Sequence, residues 1–254
     1  MNVATIDRAR ALYDPPAKAA RPRREWGKAL SALRKLLRDN EDTVQVFEIM
    51  RALNHGSAHK GYLKLLGGPT GARLAYEHVE LASRLMDDAW LDSFAEGSVG
   101  AAYRDFVRRE RLSAEGLAQV SAVGVDPELI NNKDPVAWYG RRIRDVHDLW
   151  HIVTGYDRDP LGEACLVAFS FVQTRGLGWL AIALGVLAKG GGGVPGVRGA
   201  ILEGFRHSRS AAWMPGVDYE RLMRLPIDVA RAELHILPPR RYQAVVAKVR
   251  KSMS

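Results

Sequence analysis

Between Trp26 and Leu37 apolar side chains return at Trp26, Leu30, Leu33, Leu36 and Leu37, with arginine and lysine in the gaps. That spacing predicts a basic amphipathic helix, its stripe packed on the body of the protein or laid on a membrane. Val44, Val46, Phe47, Met50 and Leu53 carry a second helix from Asp42, ended by Asn54-His55-Gly56. Gly56 argues against a helix around His55 and His59, which read as polar loop residues. Gly67 through Gly71 reads as a turn before a helix from Ala72 to about Met86. Ser98 is placed as the N-cap of a helix bearing Tyr103, Phe106 and Val107, and Ser113 as the start of another. After Pro135 a single helix is expected to about Val153, with Trp138, Tyr139, Ile143 and Val146 set among Arg141, Arg142 and Arg144.

From Ala164 to Ala188 the pattern turns almost wholly apolar, interrupted by Gln173-Thr174-Arg175 and relieved by Gly176, Gly178 and Gly185. A membrane span needs about 20 consecutive apolar residues, and an arginine at its centre is costly. The stretch therefore reads as one or two buried helices, whose glycines leave room for close helix packing first and a lipid tail second. Lys189 to Gly193 reads as a linker, Val197 to about Met214 as a helix, and Asp228 to Leu234 as a short helix before Pro238-Pro239. No alternating strand pattern occurs. The fold class is all-α: one multi-helix domain over 41–254, behind a basic N-terminal arm over 1–40 that carries Pro15, Pro16 and Pro22.

The chemistry concentrates in His147-Asp148-Leu149-Trp150-His151, followed by a polar turn and Glu163. On a helix, His147 and His151 lie one turn apart on one face, while Asp148 is rotated about 100° to flank them. Gly155 suits a left-handed C-cap, after which Asp159 and Pro160 form an N-cap and first helical position. Glu163 then falls in the first turn of a returning helix. Histidine and carboxylate are ligands for zinc or another first-row transition ion. The competing reading is a helix–turn–helix with two surface histidines. His207 reads as a surface or internally satisfied residue, and Gly67–Gly71 lacks the Lys-Ser/Thr ending of a phosphate loop.

Composition narrows this only a little. The 254 residues carry a formal charge of +8, which suits phosphates, anionic lipid or nucleic acid; no nucleic-acid motif accompanies it, so nucleic acid is not expected as a partner. The lone Cys165 excludes an internal disulfide, fits a reducing compartment, and reads as a packed side chain. The first residues lack the apolar core of a secretory signal. They are arginine-rich, as a mitochondrial presequence is, but Asp7 and Asp14 weigh against one.

His147-Asp148-Leu-Trp-His151, eleven residues and then Glu163 resembles the signature of the coenzyme Q biosynthesis protein 4 family. Arg141-Arg-Ile-Arg144 before the motif, Gly155 and Asp157 after it, and Glu96-Gly97-Ser98-Val-Gly100 with Tyr103 fit the likeness. So does the block Leu225-Pro226-Ile-Asp228, Arg231, Leu234, Pro238-Pro239. Typical members carry prolines near Asp88-Ala89-Trp90 and Phe94-Ala95, a departure that suggests a divergent, bacterial branch. The resemblance implies an all-helical, membrane-associated component of ubiquinone synthesis holding a divalent metal, with zinc the first choice and iron the alternative. His147, Asp148, His151 and Glu163 carry over as metal and catalytic positions. It further implies replacement of the C1 carboxyl of a polyprenylated hydroxybenzoate-type ring by a hydroxyl, and partnership with other quinone-biosynthesis proteins. Arg141, Arg144 and Arg175 are the candidates for meeting the anionic substrate. The expected place is peripheral on the inner membrane, from the cytoplasm of a bacterium or the matrix of a mitochondrion, with a homodimer left open. A lipid-binding scaffold is the second reading. A hydrolase is the third: Asp148 stands where a zincin has its longer glutamate base, and an HD-type site would need His55, His59 or His78 besides.

Overall fold

The computed structural model describes residues 24–39, 42–54, 56–109, 134–189 and 193–253. Among them regular structure is helical, and strand-like pairing is limited to one isolated bridge between Ser98 and Pro226. In chain order come α1 (Trp26–Leu36), α2 (Thr43–Leu53), α3 (Ser57–Leu66), α4 (Pro69–Glu77), α5 (Leu81–Leu85), α6 (Asp88–Asp92) and α7 (Val99–Arg109). Then follow α8 (Pro135–Asp145), α9 (His147–Thr154), α10 (Pro160–Thr174), α11 (Leu177–Lys189) and α12 (Val197–Ser210). A 3₁₀ turn at Met214–Gly216 leads to α13 (Tyr219–Leu222), α14 (Ile227–Glu233) and α15 (Arg240–Met253). The all-α expectation holds. The helix expected from Ser113 and most of the Lys189–Gly193 linker lie outside the described residues, as does the arm before Arg24.

The described chain groups into two compact units, one of residues 56–149 and 213–230, the other of 24–54, 150–212 and 231–253. The first is built around Tyr62, Leu65, Leu66, Leu74, Trp138 and Tyr139. Helices α3 and α8 approach closely there because Gly61 has no side chain: a Cβ would fall 2.4 Å from the Tyr139 hydroxyl. Arg142 is 3% exposed, and its guanidinium donates to the Pro215 and Val217 carbonyls. Ser98 caps α7 as expected, its Oγ accepting the Ala101 N–H.

In the second unit α10 lies against α12, and Gly204 lets them meet: a Cβ there would sit 2.5 Å from the Cys165 carbonyl oxygen. Cys165 is fully buried and burial pushes its thiol up, as suits a packed side chain. Gln173 donates to Ser208, and Ser208 Oγ to the Phe169 carbonyl, so the polar groups of this contact are satisfied internally. The apolar run is two helices, divided at Arg175, which adopts the left-handed conformation (φ 58°). Asn54 and Met50 of the α2 region close on Gly176 and Gly178, and Leu33 of α1 on Gly185. Side-chain packing therefore occupies the space at these glycines. None of the described helices is long and apolar enough to cross a membrane.

Several expected boundaries move. The helix expected over Val136–Val153 is two, because fully buried Val146 takes ψ −7° and interrupts the repeat for one residue. Residues 57–66 are helical despite Gly56, which serves as a left-handed N-cap (φ 80°) outside the helix and not as a residue within it. The helix drawn from Ala72 to Met86 begins earlier, at Pro69, and breaks at His78, whose φ of 48° ends α4. The helix from Val197 stops at Ser210, where Ala211 turns extended. In α1 the buried positions are Ala29, Ala32 and Leu36, whereas Trp26 and Leu30 are exposed. Small residues win that face because α1 packs close to its neighbours.

Candidate metal centre

Local signals set the site. Helix α9 ends at Thr154, and Gly155 takes φ +75° as its left-handed cap. Four residues later Asp159 caps α10, one carboxylate oxygen accepting the Leu161 and Gly162 N–H groups at 3.0 and 3.2 Å. Pro160 takes the first helical position and Glu163 the first turn, where the helix dipole favours a carboxylate.

His147, His151 and Glu163 converge: each offers a ligand atom, and these atoms lie within 4.8 Å of one another. The Nε2 atoms of both histidines are buried. His151 is 2% exposed, and its Nδ1 lies 2.9 Å from the Tyr156 carbonyl oxygen. A carbonyl only accepts, so Nδ1 carries a proton and donates, and Nε2 is the ring nitrogen turned toward Glu163. That Nε2 lies 3.3 Å from Glu163 Oε1. This division of an imidazole between a backbone carbonyl and a ligand position is the usual preparation of a metal-bound histidine. Arg158 Nε stands 3.9 Å from the same Glu163 oxygen and steadies the carboxylate.

Asp148 is not in this group. Its carboxylate lies 3.9 Å from His147 Nδ1, too far for a hydrogen bond, as follows from its turn of about 100° around the helix. Its charge, with that of Asp145, acts on Tyr103, a buried side chain of α7. Burial, with the Asp148 and Asp145 carboxylates, pushes that phenol's pKa up, so it remains a neutral O–H. Arg141 ion-pairs with Glu80 at 2.7 Å and Arg144 with neighbouring Asp145 at 2.8 Å. Burial pushes the Asp145 carboxyl up, and Arg144 opposes this. Arg175 sits twelve residues beyond Glu163 on α10, roughly 18 Å along the axis at 1.5 Å per residue. No further histidine or acid joins the triad among the described residues, so neither His59 nor His78 completes an HD-type set.

Three nitrogen and oxygen donors from two helices fit a divalent ion of the zinc or iron class, with coordination positions left over for other ligands. The donors stand ready on one buried histidine edge and one half-exposed carboxylate.

Comparisons with known proteins agree with the motif. Residues 31–240 match the family model described as coenzyme Q (ubiquinone) biosynthesis protein Coq4. The mitochondrial ubiquinone biosynthesis protein of Talaromyces stipitatus is 28% identical over 181 residues, 69% of this chain and 58% of that protein. The homologue of Rattus norvegicus, also named mitochondrial, is 27% identical over 180 residues, 67% of this chain and 62% of its own. The match thus spans under two thirds of either relative's length. A crystal structure from Nostoc punctiforme PCC 73102, of a protein assigned to ubiquinone biosynthesis, shares the fold: TM-score 0.57 at 20% identity, covering 83% of this chain and 97% of that one. With most of its length inside the family model, the chain belongs to the Coq4 family of coenzyme Q (ubiquinone) biosynthesis proteins.

Proposed function

We propose that this chain is a metal-dependent enzyme of ubiquinone biosynthesis that exchanges the C1 carboxyl of a polyprenylated hydroxybenzoate-type ring for a hydroxyl at a membrane surface. The observation that carries the reading is the convergence of His147, His151 and Glu163 in a member of a ubiquinone-biosynthesis family. Those three residues would hold the ion, which supplies Lewis-acid polarisation of a ring carboxylate or phenolate oxygen. Zinc has no redox chemistry, so with zinc the electrons must pass directly from an electron-rich phenolate to dioxygen; iron removes that restriction. The reaction balances as ArCO2H + O2 + H2O giving ArOH + CO2 + H2O2, a two-electron oxidation of the ring with dioxygen as acceptor.

The protein's own groups have distinct tasks in this scheme. The Tyr156 carbonyl accepts from His151 Nδ1 and so orients the ring with Nε2 toward Glu163, the atom that would bind the ion. Arg158 stands beside the Glu163 carboxylate, 3.9 Å away. Tyr103 is buried and stays a neutral phenol, so in this scheme it could offer only an O–H donor. The positive surface and the exposed Trp26 and Leu30 of α1 suit a peripheral position on anionic lipid.

The test is metal analysis and turnover of the purified protein with a carboxylated prenylphenol under oxygen. Wild type should bind about one divalent ion and release CO2 with the hydroxylated ring, and His151→Ala should lose both. A His151→Ala protein that keeps both overturns the reading. Stoichiometric metal with no turnover would leave the chain a scaffold.

A further inference from the structure

Two side chains outside the ligand motif grip the turn that carries it. Arg231, on α14, donates from Nε to the Val153 carbonyl at 2.9 Å and from a terminal nitrogen to the Ile152 carbonyl at 3.1 Å. Those carbonyls belong to the last turn of α9, where helical acceptors lack intrahelical donors. Arg231 and Pro239 lie against Gly155: a Cβ there would stand in ordinary contact, 3.5 Å from the guanidinium and from the proline ring. Tyr242, at the start of α15, grips the other end. Its hydroxyl accepts the Asp157 N–H at 3.2 Å and donates to the Asp159 carboxylate oxygen that the N-cap does not use. Its ring stacks edge-on against Tyr156, the residue whose carbonyl holds His151, at 5.5 Å between centroids.

We infer that Arg231 and Tyr242 are positioning residues for the cation site: without supplying a ligand, they fix the C-terminal end of the histidine helix and the N-terminal end of the Glu163 helix. The separation of His151 from Glu163 is set by the five-residue connection Gly155–Asp159, with both ends anchored to the C-terminal segment. Asp159 links the two functions, since one of its oxygens caps α10 and the other receives Tyr242. Loosening either anchor widens the distribution of donor distances. A metal ion registers that directly, because groups that orient ligands alter affinity about 10–100-fold. The inference rests on the triad binding a cation.

The experiment uses the full-length protein with Zn2+, titrated against a chromophoric chelator, and with Co2+ as a spectroscopic probe. Tyr242→Phe keeps the ring contact with Tyr156 and removes only the hydroxyl. It should weaken Zn2+ binding about tenfold, alter the Co2+ visible spectrum, and shrink the rise in Tm that metal brings, with the Tm of the metal-free protein little changed. Asp159→Asn, which retains a capping oxygen, should reproduce the effect, and Arg231→Lys should fall between wild type and Arg231→Gln. A merely structural role would lower the metal-free Tm and leave the spectrum and the metal-linked increment alone, and that result overturns the inference. Affinities within twofold of wild type and an unchanged spectrum overturn it as well. His151→Ala serves as the control: if it binds Zn2+ like wild type, the cation site itself fails and the inference falls with it, a result separable from failure of Tyr242 or Arg231 alone.

Discussion

The two ends of α10 are built on different principles. At its N-terminal end Asp159, Glu163, Arg158 and Tyr242 converge through hydrogen bonds and charge, and backbone groups are held by side chains from the C-terminal segment. At its C-terminal end the chain reverses through Arg175 in a left-handed conformation, and Gly176 and Gly178 press against Asn54 and Met50. One end arranges donor atoms, and the other arranges volume. The first end is held by polar contacts from side chains distant in sequence, whereas a glycine contact is complete once it is packed.

The sharpest way to break the first end is Gly162→Ala. Its Cβ would fall 1.9 Å from the Asp157 carbonyl oxygen, which is backbone and cannot move without opening the turn. A loss of about 3 kcal/mol in urea unfolding is expected, together with a large fall in metal affinity. At the second end, Gly178→Val puts a Cβ 2.6 Å from Met50 Sδ and 3.2 Å from the Met50 Cα. It should cost roughly 2 kcal/mol, yet the protein that remains folded should bind metal with wild-type stoichiometry. Equal damage to metal binding from both variants would erase the distinction between the ends.

Smaller changes sharpen it. Arg175→Gly should raise stability by about 0.5–1 kcal/mol, because glycine adopts the left-handed conformation without the side-chain penalty. Metal binding should be untouched; a loss of substrate turnover in this more stable variant would restore Arg175 as a substrate contact. The smallest effect concerns His207 on α12. Burial lowers its pKa from 6.5, opposed by Glu203. The folded protein then binds fewer protons there than the unfolded chain, so stability falls as pH drops below 6.5 through the folded pKa and is full above it. His207→Asn should slightly flatten that acid-side decline in pH-dependent melting curves.

The site was legible where chemistry is local. Gly155, Asp159 and Pro160 fixed the turn, and the i, i+4 spacing fixed the histidine pair, so three of the four expected ligand positions meet. Asp148 misses the group for a reason already contained in helix geometry. The arginines expected to meet a substrate were less legible: Arg144 pairs with adjacent Asp145, but Arg141 pairs with Glu80, which nothing in the local pattern announces. Tyr103, Arg231 and Tyr242 belong to the surroundings of the motif, but as isolated letters a phenol and a guanidinium read equally well as core and surface.

By itself the sequence determined the helical class, the interruption of the apolar run at Gln173-Thr174-Arg175, and the caps that bring Glu163 back toward His151. These follow from backbone preferences within a few residues. Only the tertiary structure decided which face of α1 is buried, that Arg142 is an internal strut, and that glycines in the apolar run are filled by Leu33, Met50 and Asn54. It also decided that Arg231 and Tyr242 return to hydrogen-bond the connection between α9 and α10. Those outcomes depend on contacts between residues tens of positions apart, where the partner's shape and the available volume outweigh the periodicity of either segment.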